Sequence, residues 1–108
     1  MREAIQVSTT FAGEDDAIKL GHNLVVSGLA ACAQVQGPIT SSYRWEGKVE
    51  QSCEWLLTVK TLRDRFDAVA AAIVKEHAYA LPEIIAVPIV AGSAEYLKWI
   101  DDNVTLPE

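Results

Sequence analysis

Hydrophobic positions along the chain alternate between a period of two residues and a period of 3.6, which predicts strands and helices in turn. The first strand carries Ile5, Val7, Thr9 and Phe11 on one face. A helical stripe then follows, with members three or four residues apart: Ala17, Leu20, Gly21, Leu24, Val25 and Gly28. The small size of the two glycines would let this helix lie close on a sheet.

Two long extended segments come next and predict a β-hairpin. The first runs from Ala31 to Trp45, with a bend expected at Gly37-Pro38. The second runs from Val49 to Lys60. Glu46-Gly47 between them forms a two-residue turn in which glycine supplies a positive φ.

The last third of the chain predicts a helix, a short strand and a second helix. Thr61-Leu62-Arg63-Asp64 fits a capping box that opens a helix running to His77. Glu83 to Val90 predicts a strand, which Pro88 confines to a sheet edge. Ser93 to Asp102 predicts the final helix. Three side chains of that helix are expected to be buried: Tyr96, Trp99 and Ile100.

The element order β-α-β-β-α-β-α predicts an α+β fold, a ferredoxin-like βαββαβ sandwich with a long hairpin and an extra C-terminal helix. In this topology the fourth strand lies at an edge, in agreement with the position of Pro88. We expect residues 1–108 to form one such domain.

The length of the hairpin predicts association between copies of the chain. Val49 to Lys60 spans roughly 40 Å at ~3.3 Å per residue, whereas the helix from Leu62 to His77 spans only about 24 Å at ~1.5 Å per residue. The hairpin must therefore overhang its helices, and a two-stranded ribbon is marginally stable alone. We expect three aromatic side chains to contact another copy: Tyr43, Trp45 and Trp55. The alternative is a hairpin that curls over its own domain, and the pattern itself does not decide between dimer and trimer.

Composition narrows the classes of partner. Fifteen acidic residues against nine basic ones give a formal charge of −6, which argues against nucleic acid or an anionic membrane as a partner. The absence of a long apolar segment predicts a cytoplasmic protein. In that compartment Cys32 and Cys53 are expected to be thiols.

An ordered set of motifs covers nearly the whole chain. These motifs are Ala30-Ala31-Cys32, Gly37-Pro38-Ile39-Thr40-Ser41, Tyr43-Arg44-Trp45-Glu46-Gly47-Lys48, Leu56-Leu57-Thr58-Val59-Lys60-Thr61, His77-Ala78-Tyr79-Ala80-Leu81-Pro82-Glu83-Ile84, Pro88-Ile89 and Tyr96-Leu97-Lys98-Trp99-Ile100. Together they resemble the CutA divalent-cation-tolerance family. The resemblance implies a homotrimer built through long hairpins, a role in the tolerance or binding of divalent metals, copper above all, and a structural likeness to PII signalling trimers. It implies no established enzymatic reaction. Arg44, Ala78 and Gln34 depart from residues common in the family.

The candidate metal ligands are Cys32, His77 and Glu83. A Cys32 thiolate would suit copper or zinc, although a free cysteine also serves as a small buried hydrophobe. His77 could ligate through a neutral imidazole, or it could satisfy a buried acceptor. No recognised metal spacing occurs, so a site would be assembled from distant residues or across subunits. We expect that folding requires no metal.

A cleft between subunits is the second candidate site, lined by Lys60, His77, Tyr79 and Glu83. An alternative function is therefore a PII-like sensor of a small anionic metabolite, with positive charge from Lys60 and Arg44 and stacking on Tyr79 and Trp45. A trimeric scaffold for an unknown protein partner is a third hypothesis. A Cys32–His77 dyad is the one catalytic arrangement that the residues suggest, and we expect the protein not to be an enzyme.

Overall fold

A computed structural model describes residues 1–108 and shows one four-stranded antiparallel sheet with three α-helices. The elements in chain order are β1 (Ala4–Phe11), α1 (Glu14–Val26), β2 (Cys32–Trp45), β3 (Lys48–Leu62), a 3-10 turn (Arg63–Arg65), α2 (Phe66–Glu76), β4 (Ile85–Pro88) and α3 (Ala94–Asp102). None of these helices is both long and apolar enough to cross a membrane.

The strands lie in the order β2-β3-β1-β4, which confirms the ferredoxin-like prediction. β1 pairs with β3 along its whole length, from Ala4 opposite Leu62 to Phe11 opposite Trp55. β4 pairs only with β1, so Pro88 lies on an edge strand, where its missing N–H costs no sheet hydrogen bond.

The main hydrophobic core lies between the sheet and the helices α1 and α2. Eleven buried residues form it: Ile5, Val7, Phe11, Ala17, Leu20, Leu24, Ala30, Leu57, Val59, Val69 and Ile73. The expected close approach of α1 occurs at Gly21, where a Cβ would lie 2.9 Å from Leu57 Cδ1 and 3.0 Å from Ala33 Cβ.

A second, smaller core holds α3 against the other face of the sheet. It contains Ala4, Ala31, Leu62, Ile100 and Val104. Ala4 and Ile5 lie in different cores because neighbouring residues of a strand point to opposite faces. We call the face that α1 and α2 do not cover the open face; α3 covers one end of it.

Arg2 ties the end of α3 to the rest of the chain. Its Nε donates to Asp101 Oδ1 at 2.9 Å, and its Nη2 donates to the carbonyl oxygens of Asp101 at 3.0 Å and Val104 at 2.7 Å. The planar guanidinium holds donors on three nitrogens in one fixed array, whereas the donors of a lysine all sit on a single nitrogen.

The long hairpin projects beyond the helices, as predicted. β2 has 14 residues and β3 has 15, and every residue from 42 to 51, which we call the hairpin tip, is exposed. Glu46 and Gly47 form the turn with φ values of 51° and 80°, as a tight hairpin turn requires. The chain extends 44 Å along its longest axis, and its radius of gyration of 14.4 Å exceeds the ~13 Å of a compact chain of this size.

The start of α2 differs from the predicted capping box. The chain stays extended through Leu62, because that side chain is buried in the second core and its backbone pairs with Ala4. The helix then begins only after the 3-10 turn at Arg63–Arg65 and has no side-chain cap. Strand pairing thus outweighs the local capping signal.

The prediction that α3 buries all three of its large side chains is wrong within one chain. Ile100 is fully buried, whereas Tyr96 and Trp99 each remain 42% exposed and stack on one another with ring centroids 5.4 Å apart. Trp55, by contrast, is half-buried against the main core of its own chain. Its contact with another copy stays a prediction.

Candidate functional site

A cleft of about 780 Å³ lies between the hairpin and the segment that follows α2. Thirteen residues line it: Thr10, Ser41, Ser42, Tyr43, Arg44, Trp45, Ser52, Glu54, Tyr79, Ala80, Leu81, Pro82 and Glu83. By alternation along β1 and β3, Thr10 and Glu54 point to the open face. The cleft therefore lies on the open face, beside the hairpin.

His77 fixes the position of the segment that closes the cleft. Its ring stacks on Phe11, with centroids 4.2 Å apart, and its Nε2 lies 2.7 Å from the carbonyl oxygen of Thr10. The Tyr79 N–H donates to His77 Nδ1 at 3.1 Å. Since Nδ1 accepts a hydrogen bond, Nε2 carries the proton and donates to Thr10, so both nitrogens of the neutral ring are occupied.

Tyr79 leads from this anchor into the cleft. Its hydroxyl donates to Glu54 Oε2 at 2.8 Å. Burial, followed by the hydrogen bond to Glu54 and the charge of that carboxylate, raises the pKa of Tyr79 to about 12. The phenol therefore remains a proton donor at neutral pH.

Glu54 is the buried acid of the cleft. Only 7% of the residue is exposed, although it lies on a strand next to the exposed hairpin tip. The sequence pattern does not distinguish Glu54, since an acidic residue in an alternating strand normally faces water. The only available signal was its place on the same strand face as Glu50 and Ser52.

The residues predicted to line a cleft between subunits divide into two groups around this cleft of the single chain, and the cleft between subunits itself stays a prediction. Tyr79 and Glu83 line the cleft, and His77 supports it from behind. Lys60 does not line it: its Nζ donates to Gln34 Oε1 at 2.6 Å, further along the sheet. Arg44 and Trp45, which the sensor hypothesis also used, are both lining residues.

The predicted metal ligands do not meet within one chain. Cys32 lies opposite Lys60, which in turn pairs with Gln6, whereas His77 contacts Thr10 four residues further along β1. Four strand residues span about 13 Å. Cys32 and His77 therefore also lie too far apart to form the hypothetical catalytic dyad. No group of three or more His, Cys, Asp and Glu residues could hold a metal ion.

Cys32 instead lies beside α3. Burial and the neighbouring Cys32 thiol together raise the pKa of Tyr96. Cys32 is partly buried and Cys53 is exposed, and neither forms a disulfide. A soft-metal site that uses Cys32 would therefore need ligands from a second subunit.

The comparisons with known proteins all indicate the same family. The model of the family described as CutA1 divalent ion tolerance protein matches residues 5–103. The divalent-cation tolerance protein CutA of Thermus thermophilus is 38% identical over 103 residues, covering 95% of this chain and 98% of the relative. The chloroplastic protein CutA of Arabidopsis thaliana is 36% identical over 100 residues, which are 93% of this chain but only 55% of the relative's length. The crystal structure of CutA1 from Oryza sativa aligns with a TM-score of 0.94 at 33% identity, covering 98% of this chain and 97% of that one.

Proposed function

Because the chain belongs to the CutA1 divalent ion tolerance family, we propose that it acts as a homotrimer in tolerance of divalent cations, copper in particular, and catalyses no reaction. The relatives described above are named as tolerance proteins or by the family name alone rather than as enzymes. We further propose a cytoplasmic location, which separates this chain from the relative named as chloroplastic.

The observation that carries the assembly proposal is the uncovered hairpin. Tyr43 and Trp45 are 42% and 43% exposed, and Val49 on the other face of the tip is 67% exposed. Ile85 and Val87 of β4 add exposed apolar side chains beside the open face. A ribbon with large apolar groups on both faces gains stability when another molecule covers it. A second copy of the chain can provide this cover, because it is present wherever the protein is made.

Native mass spectrometry and sedimentation equilibrium test the assembly directly. We expect a single species with the mass of three 11.8 kDa subunits. A chain that remains folded and sediments as one subunit at micromolar concentration would contradict the proposal.

The copper proposal needs a site shared between subunits, because Cys32 and His77 lie apart in one chain. We expect Cys32→Ala to lower the stoichiometry or the affinity for Cu(I), measured by competition with a chromophoric chelator under reducing conditions. Cys53→Ala is the matched control, because it also removes one thiol, and Cys53 is an exposed residue of β3 near the hairpin tip. Equal effects of the two variants, or none from Cys32→Ala and His77→Ala, would show that the assigned ligands are wrong.

The second candidate function is a small-molecule sensor, and the 780 Å³ cleft favours it. This volume lies within the range of ligand pockets. The sequence predicts an anionic metabolite between subunits, whereas in the cleft of the single chain Glu54 and Glu83 outnumber Arg44 among the charged lining residues, and Lys60 is absent from the lining. The charge of the cleft therefore favours a cation. A thermal-shift screen of small molecules of each charge tests this function.

A further inference from the structure

The carboxylate of Glu54 has no counter-charge within its own chain. Its Oε2 accepts one hydrogen bond, from the Tyr79 hydroxyl, and only 7% of the residue is exposed. The three salt bridges of the chain involve other acids, so no basic nitrogen lies within 4.0 Å of this carboxylate. A buried carboxylate without a counter-charge is costly, and proteins usually provide a partner for it.

No base of the hairpin can reach this carboxylate within one chain. Arg44 pairs with Val49, which lies five residues before Glu54 on β3, and five strand residues span about 17 Å. Lys48 and Lys60 each lie six residues from Glu54 on the same strand, at about 20 Å. These distances exceed the length of an arginine or lysine side chain. A counter-charge from the hairpin therefore has to come from another copy of the chain.

Arg44 is the base of the hairpin tip that has no acid on its own face of the ribbon. By alternation, it lies on the face whose other strand residues are uncharged, among them Val49 and Gln51. Lys48 lies on the opposite face, where Glu50 follows it two residues later. Arg44 also forms no salt bridge within its chain. Of the two bases at the tip, Arg44 is therefore the one that lacks a nearby partner on its strand face.

The cleft and this face of the tip are complementary in charge and in apolar surface. Two of the three charged residues that line the cleft are acids, Glu54 and Glu83, and the exposed Leu81 adds apolar surface there. The tip offers a guanidinium at Arg44 beside the exposed side chain of Val49. One chain thus carries both an acidic, apolar recess and a basic, apolar ridge.

We propose that the hairpin tip of each copy occupies the cleft of the next copy, where its Arg44 pairs with Glu54. This inference rests on the proposed homotrimer and names the residue that each copy contributes to its neighbour. A contact between two different surfaces of one protein can close into a ring, so three tips fill three clefts. Guanidinium suits this place because it is less strongly hydrated than ammonium and can donate two parallel hydrogen bonds to one carboxylate. The cation that the charge of the cleft favours is then a side chain of the protein itself.

Sedimentation equilibrium of the full chain tests this pair through single substitutions. Arg44→Gln leaves Glu54 buried without a counter-charge in the assembly, so we expect the trimerisation constant to fall at least a hundredfold. Lys48→Gln is the matched control, because it removes the other base of the tip, and it should change the constant less than fivefold. An Arg44→Gln protein that assembles as the parent does, or an equal loss in Lys48→Gln, would overturn the proposal.

Glu54→Gln shows whether the two side chains act on each other. The amide keeps an acceptor for the Tyr79 hydroxyl, so the fold should survive, as circular dichroism can verify. A double variant with Arg44→Gln and Glu54→Gln no longer buries an unpaired charge. Its trimerisation constant should therefore exceed that of Arg44→Gln alone at least tenfold. Independent effects, in which the losses of the two single variants multiply, would contradict the pairing.

The outcomes separate this inference from the proposed function. A parent chain that sediments as one subunit overturns the homotrimer and the pair with it. A trimeric parent in which Arg44→Gln assembles with an unchanged constant keeps the homotrimer and overturns only the pair. Arg44 is exposed at the tip in one copy, so its substitution leaves the fold of that copy intact. The comparison with Lys48→Gln therefore decides the question even if Glu54→Gln does not fold.

Discussion

Replacing Trp45 with alanine should weaken association between copies far more than it weakens the fold of one copy. Trp45 lies at the hairpin tip opposite Lys48 and is 43% exposed. An indole side chain offers ~150–250 Å² of surface, so about 65–110 Å² of it remains uncovered in one copy. At ~25 cal/mol per Å², covering that surface contributes about 1.6–2.7 kcal/mol per contact, or about 5–8 kcal/mol over the three equivalent contacts of the proposed homotrimer.

Sedimentation equilibrium over a wide range of concentrations measures this loss. Since each 1.4 kcal/mol is a factor of ten, the trimerisation constant of Trp45→Ala should fall by a factor of about a thousand or more. Val26→Ala is the control, because Val26 is 71% exposed but lies at the end of α1, next to the start of β2 and away from the tip. We expect that variant to assemble as the parent does. A Trp45→Ala protein that assembles with the parent's constant would refute the reasoning, as would an equal loss in the control.

Three further predictions concern the fold and the cleft. Gly21→Ala should lower the free energy of unfolding by up to about 2 kcal/mol in urea titrations, because the ~1–3 kcal/mol cost of overpacking exceeds the ~1 kcal/mol gain in helix propensity. Asn23→Ala, exposed on the same helix, should instead raise it, and a gain in both variants would contradict the close packing of α1. Arg2→Lys should cost about 1–3 kcal/mol in the same assay, since lysine cannot reproduce the hydrogen bonds to the end of α3, and an unchanged midpoint would contradict that role. Because the pKa of Tyr79 rises from 10.0 to about 12 on folding, stability should decline as pH increases between those values, while the unfolded phenol ionises and the folded one does not. Tyr79→Phe should remove the highest step of the tyrosinate absorbance titration, and a titration identical to the parent's would contradict the assignment.

The order of elements could be predicted because each periodic segment buries one face in the same domain. Ile5 and Val7 alternate with polar residues, and both lie in the main core, as the pattern predicted. Pro88 added a second, independent constraint, since only an edge strand tolerates it. Local pattern and global topology therefore agreed, which is why strand order followed from the sequence.

Boundaries and burial at the ends of elements could not be predicted in this way. The capping signal at Thr61–Asp64 is local, whereas the burial of Leu62 depends on Ala4, almost sixty residues away along the chain. Likewise, the apolar stripe of α3 predicts a buried face without stating how much of the sheet is available to cover it. A helix of nine residues buries Ile100 and leaves Tyr96 and Trp99 half-exposed.

The burial of Glu54 could not be predicted from the sequence for the same physical reason. Glu50 and Glu54 occupy equivalent positions of one alternating strand, and both would face water if the sheet alone determined their surroundings. They differ because His77, held by Phe11 and Thr10, places Tyr79 over Glu54 but leaves Glu50 uncovered at the tip. The burial of Glu54 is therefore a product of tertiary structure.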